Sequence, residues 1–195
     1  MSFWGTDLGS TDAKDPKRKF RWRVTIGGLQ EGGIIWYAKS VTKPSFSISA
    51  DTTHNYLGHK FKFPGSVTWD DINLTLVDPA SPDVARKTLT MIQNAGYRFP
   101  TSSDELRTIS KNTSVDAIES FTIQQLDAEG AAIETWVLHN PFINKVEFGG
   151  DLSYEDEGLS EITLGITYDW AKFYGLGEAI TEGGGEGNFG YDPKK

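Results

Sequence analysis

Residues Glu161–Trp170 read EITLGITYDW, an unbroken alternation in which Ile162, Leu164, Ile166, Tyr168 and Trp170 point one way. Glu161, Thr163, Gly165, Thr167 and Asp169 point the other way. A helix, turning ~100° per residue, would scatter these two sets around its circumference, whereas a strand sends alternate side chains to opposite faces. The segment therefore has to lie between a core and water, which is the situation of an antiparallel sheet solvated on one side.

The same period recurs. Lys19–Ile26 sets Phe20, Trp22, Val24 and Ile26 against Arg21, Arg23 and Thr25. Val67–Asp78 sets Ile72, Leu74 and Leu76 against Asp71, Asn73 and Thr75. Residues 34–41 (IIWYAKSV) form a more fully apolar strand. Glu119–Asp127 and Ala132–His139 flank Ala128-Glu129-Gly130, a hairpin turn in which glycine can take a positive φ. Residues 143–148 and 151–154 read as further short strands. One stretch, 81–95, has helical period instead. Ser81 is placed to cap it, Pro82 suits its first position and Asp83 complements its dipole. Ala85, Leu89 and Ile92 then make one apolar stripe, and Gly96 ends the helix. The expected class is mainly β: an antiparallel sandwich or partial barrel with one flanking helix.

Two regions exceed a minimal sandwich. Residues 42–66 are too long for a tight loop and β-prone at both ends, so they read as an extended arm or hairpin. Residues 175–193 are glycine-rich and acidic, the composition of a tail. This gives an extension at 1–18, a β domain at 19–172 and a tail at 173–195. The charge is uneven. Residues 1–23 carry six basic and three acidic residues, and residues 151–195 carry ten acidic and three basic ones. The bland reading is two solvated ends; the sharper one is attraction between neighbouring copies.

The chemistry that the sequence can support is limited. With no cysteine, thiolate metal sites, disulfides and cysteine nucleophiles are excluded. His54, His59 and His139 lack zinc-ligand spacing, and no Gly-x-Ser-x-Gly elbow or phosphate-binding glycine loop occurs. Asp70 and Asp71 are neighbours on a strand and point to opposite faces, so they make no dyad. The acidic turn 151–158 lacks the order of a calcium loop and reads as solvated. Asn73-Leu74-Thr75 and Asn112-Thr113-Ser114 read as chance matches to the glycosylation sequon. No catalytic, cofactor or metal residues are expected. A net charge of −8 argues against a general phosphate-binding surface. No apolar run is long enough to span a bilayer, and the start MSFWGTDLGSTDAKD has no signal-peptide core, so synthesis in a reducing cytoplasm with no cleaved leader is expected. The six tryptophans fit either core filling or subunit contacts.

Two segments taken together carry a resemblance. One is Phe63-Pro64-Gly65-Ser66-Val67-Thr68-Trp69-Asp70-Asp71-Ile72-Asn73-Leu74-Thr75-Leu76-Val77-Asp78, followed at once by the helix. The other runs from Asn140-Pro141-Phe142-Ile143-Asn144-Lys145-Val146-Glu147-Phe148 through Leu152-Ser153-Tyr154 to the Glu161–Trp170 strand. From about residue 19 to residue 172 the order, spacing and endings resemble the tail tube protein of T4-like contractile-tailed phages. The resemblance implies a non-enzymatic virion protein whose hexameric rings form a continuous β-barrel and stack into a tube. A sheath surrounds that tube, baseplate and tail terminator proteins bound it, and DNA passes through its lumen. A tube subunit of a contractile injection or type VI secretion system, or a baseplate protein that starts the tube, is the neighbouring reading. A sandwich enzyme or a carbohydrate-binding sandwich would need a clustered site or ring-free tryptophan surfaces.

In a ring of that kind the wet strand faces would line the channel. The lumen candidates are Asp71, Asn73, Thr75, Glu161, Thr163, Thr167 and Asp169, expected to form a negative, hydrated wall without a row of lysine or arginine. The arm residues Phe46, Ile48, Tyr56, Leu57 and Phe61 are candidates for contacts between stacked rings.

Overall fold

A computed structural model of the chain describes residues 16–29, 37–50, 52–81, 83–98, 108–150, 152–155 and 157–175. The expectations for residues 1–15, 34–36, Pro82, Asp151, Asp156 and 176–195 lie outside the described residues. In chain order, strands β1 (Trp22–Ile26), β2 (Ala38–Val41), β3 (Phe46–Ile48), β4 (Thr52–Tyr56), β5 (His59–Phe63), β6 (Val67–Trp69) and β7 (Ile72–Val77) come first. Helices α1 (Val84–Asn94) and α2 (Lys111–Ile118) follow. Strands β8 (Phe121–Leu126), β9 (Ala132–His139), β10 (Phe142–Phe148), β11 (Glu161–Thr167) and β12 (Trp170–Tyr174) complete the order.

The strands make two four-stranded antiparallel sheets, β1-β8-β9-β12 and β10-β11-β7-β2. Their apolar rows meet in one core. In the first sheet Val24 lies opposite Ile123, and Phe121 lies between Ile26 and Leu138. In the second, Leu76, Leu74 and Ile72 lie opposite Ile162, Leu164 and Ile166, and all six are at most 1% exposed. Each such side chain contributes ~1.5–3 kcal/mol by leaving water, so these two rows are the main hydrophobic driving force of the second sheet. The hairpin between β8 and β9 turns as the sequence predicts. Gly130 takes a φ of 84°, and the Asp127 carboxylate accepts hydrogen bonds from the Glu129 and Ala131 amides.

Several local expectations are corrected. Among the described residues there are two α-helices, not one. In α1 the cap is Asp83, whose carboxylate accepts from the Arg86 amide at 2.8 Å, rather than Ser81. The buried stripe is Val84, Thr88 and Met91, with the expected Ala85, Leu89 and Ile92 beside it at the half-buried margin. Gly96 follows the helix end as expected, and the Gly96 and Tyr97 amides close back onto the Gln93 and Ile92 carbonyls. The second helix is capped by Ser110 and tied to the end of α1 by a hydrogen bond from the Thr113 hydroxyl to the Ala95 carbonyl at 2.8 Å. Glu119 ends α2 rather than starting a strand. Residues 152–154 are not a strand. Phe20 is 73% exposed, and Trp170 opens β12 on the first sheet instead of closing the buried row of β11.

Candidate functional site

The outer face of the second sheet is polar from edge to edge. Register places Asn73 opposite Gly165, Thr75 opposite Thr163, and Ser40 of β2 beside Thr75. On the other side, Lys145 and Glu147 of β10 lie opposite Gly165 and Thr163. Both edge strands carry a bulge, one between Ala38 and Ser40 and one between Ile143 and Lys145. A bulge shifts one residue out of alternation and re-aims its side chain. Each bulged residue reaches onto this face. Lys39 donates to the Glu161 carboxylate. Asn144 donates from Nδ2 to Asp71 Oδ2 and to Thr167 Oγ1, both at 2.7 Å. Gly165 makes room for that amide, since a Cβ there would sit 2.4 Å from Asn144 Oδ1.

This brings Asp71, Asn73, Thr75, Glu161, Thr163 and Thr167 onto one surface and adds charged neighbours that strand parity does not count. Lys39 and Lys145 stand on the same face, the latter 2.6 Å from Glu147. Three carboxylates, Asp71, Glu147 and Glu161, thus face two ammonium groups, one on each edge strand, so the surface keeps a small acidic excess with its lysines paired. Asp169 leaves the row. It stands in the bend between β11 and β12, where Lys111 of α2 donates to both of its oxygens at 2.7 Å and Asn140 donates at 2.8 Å. The Lys111 hydrogen bond, helped by Asn140, holds its carboxyl below the usual range. Asp169 therefore fastens α2 to the sheet.

The arm is a two-part ribbon. At its root β3 pairs with β6, and at its tip β4 pairs with β5 through Leu57 and Gly58. Phe46 lies in the root, packed on Trp69 at a centroid distance of 4.9 Å, and Trp69 in turn meets Tyr168 at 5.8 Å. Burial pushes the Tyr168 hydroxyl up to about 12. Ile48 pairs with Val67 nearby. In the tip, His54 lies opposite Phe61 and Tyr56 opposite His59, so His54, Tyr56, His59, Phe61 and Phe63 form one aromatic row, with Lys60 and Lys62 on the reverse face. The whole row is exposed.

A charged node at the arm's root escaped the sequence reading. The Glu134 side chain, 7% exposed, accepts from Lys43 at 2.6 Å, from Lys17 at 2.5 Å and from the Trp136 indole at 2.7 Å. Burial alone would raise its pKa, but these three donors outweigh it and hold the carboxyl at about 2. One carboxylate thus joins the segment before β1, the arm and β9. Among the described residues no group of histidine and acidic side chains has metal-site geometry.

Solved structures with this architecture form a coherent set. A chain of the anti-feeding prophage tube-terminating cap is 13% identical, with 90% of this chain and 100% of that one covered, and a TM-score of 0.62. A chain of the sheath/tube terminator of the extracellular contractile injection system PVC is 18% identical, with 84% and 99% covered and a TM-score of 0.58. A chain of the PVC sheath-tube complex in the extended state is 14% identical, with 83% and 93% covered and a TM-score of 0.57. The fold is that of contractile-tail tube proteins. No protein-family model matches the sequence, and no curated protein matches it. Within this fold, the polar sheet face and the exposed arm are two surfaces that the described residues leave uncovered.

Proposed function

We propose that this chain is the structural, non-enzymatic subunit of the inner tube of a contractile tail. Copies join edge to edge into hexameric rings, the rings stack, and the polar face of the second sheet lines the channel. The observation that carries this reading is the tube-protein fold over 90% of the chain. The sheet edges support it: among the described residues, β10 and β2 each pair on one side only, as do β1 and β12. Unpaired edges invite association, and a closed ring removes them. The channel wall would carry Asn73, Thr75, Thr163 and Thr167 among charges with a small acidic excess, a hydrated surface without unpaired lysines on which phosphate could lodge.

In a phage virion such a tube conducts DNA inside a sheath, between a baseplate and a terminator. A second reading, a tube subunit or tube-end protein of an injection system, is favoured by the likeness to injection-system, baseplate and cap chains. Among the described residues no helix is long and apolar enough to cross a membrane.

Negative-stain microscopy of the purified chain, with and without a tube-initiating assembly, tests the proposal. Six-fold rings or tubes are expected. Monomers alone by mass photometry, with no polymer under either condition, would contradict it. Deleting residues 47–58 is expected to leave rings and abolish tubes.

A further inference from the structure

Two exposed elements of this chain complement each other. The first is the β4–β5 tip. Residues 52–63 (TTHNYLGHKFKF) contain two lysines and no acid. At the turn, Leu57 is 80% exposed and takes a φ of 47°, a left-handed conformation unusual for leucine, which thrusts its side chain outward. The second element is the β10–β11 loop. Residues 149–160 (GGDLSYEDEGLS) contain four acids and no base. Leu152 is 95% exposed, Tyr154 is fully exposed, and Leu159 is exposed beside them. Where this loop meets the edge of the polar sheet face lies an open cleft of about 620 Å³, lined by Leu152, Ser153 and Leu159 of the loop and by Glu147, Glu161 and Thr163 of the sheet.

Neither element is covered by the other described residues of its own chain. Each presents large apolar side chains, and the two carry opposite charge. Resting on the tube reading above, we infer that the tip of one copy seats in this cleft on a copy in the adjoining ring. Leu57 and the aromatic row would meet Leu152, Tyr154 and Leu159. Lys60 and Lys62, on the reverse face of a ribbon only two strands wide, would reach Glu155 and Glu157 at the rim. A patch that fits a different patch on an identical copy is a heterologous contact, and such contacts propagate instead of closing on a pair. That is the property ring stacking needs. Each contact is small, but repetition around a ring multiplies it.

The absence of cysteine makes a clean crosslinking test available. Leu57→Cys and Ser153→Cys, made in separate chains, are mixed, assembled and oxidised. A covalent heterodimer about tenfold more abundant than from Leu57→Cys mixed with Asn73→Cys is expected, because docking raises the effective concentration of the right pair. In parallel, Lys60→Glu/Lys62→Glu is expected to stop rings from stacking, and Glu155→Lys/Glu157→Lys on the same chain to restore tubes. Circular dichroism checks that every variant is folded. Tubes that form without the 57–153 crosslink, or charge-reversed chains that stack like the parent, would overturn the docking and leave the tube reading standing. A parent chain that forms neither rings nor tubes would remove both.

Discussion

The β7–β11 pair and the β4–β5 hairpin follow the same alternation, and both run antiparallel in unbroken register. In β7–β11 one row is sealed from water, whereas the aromatic row of the hairpin lies open. Alternation therefore specifies a strand and its two faces but not a burial. Burial requires a second layer, and the first sheet supplies it to β7–β11 while nothing among the described residues supplies it to the hairpin. Five aromatic side chains in one exposed row form the kind of patch that marks an interaction surface, and it is the surface that the proposed neighbour would cover.

The sharpest contrast comes from truncating one residue in each row. Leu74→Ala is expected to destabilise the isolated subunit by about 2–5 kcal/mol in urea unfolding, from lost burial and the cavity left behind. Phe61→Ala is expected to change that stability by less than about 0.5 kcal/mol, yet to impair tube growth. Comparable losses of subunit stability would erase the distinction between the two regions.

Next in size is the node that holds the arm's root. The Glu134 carboxyl titrates at about 2, below its ordinary value near 4.5. A depressed acid contributes its stability fully above the ordinary value and loses it as pH falls toward the folded one. The expected contribution at neutral pH is on the order of 2 kcal/mol. Glu134→Gln should lower stability at pH 7, and the difference from the parent should shrink between about pH 4.5 and 2. A gap that stays constant across that window would separate the stability from the charge.

An effect of about 1–2 kcal/mol is expected from Gly165→Ala, because the Asn144 amide must swing aside and give up Asp71 and Thr167, and the new Cβ would also crowd the Lys145 Cβ at 3.0 Å. Unfolding at neutral pH reads it, and no loss would mean that those bonds contribute nothing. Smallest is Lys145→Ala. Its partner Glu147 is half exposed, so the change should stay within about 0.5 kcal/mol.

Much of the sandwich was legible because Ile72, Leu74, Leu76, Ile162, Leu164 and Ile166 obey parity without interruption. The polar face was legible for the same reason, but only where the strands are regular. Lys39 and Asn144 join it through bulges, and parity counting assumes that no bulge exists. Helix α2 escaped because KNTSVDAI is short and polar and buries only Ser114 and Ile118, leaving almost no apolar period to detect. The one available signal was Ser110 three residues before Thr113, a cap followed by a polar turn. Glu134 was invisible for a different reason: Lys17 and Lys43 come from distant parts of the chain, and only the fold brings them together. Asp169 matched the wet row by parity, but the strand ends at Thr167 and the following bend turns it toward Lys111.

The central claim is that this sandwich is a ring segment with its polar sheet face inward and its arm covered by a neighbour. A cryo-EM map of the assembled protein tests it most directly. The account predicts six-fold rings with Asn73, Thr75 and Thr163 lining the channel and the β4–β5 tip buried against the adjoining ring. Rings with those three residues on the outer wall, or with the tip still open to solvent, would contradict it.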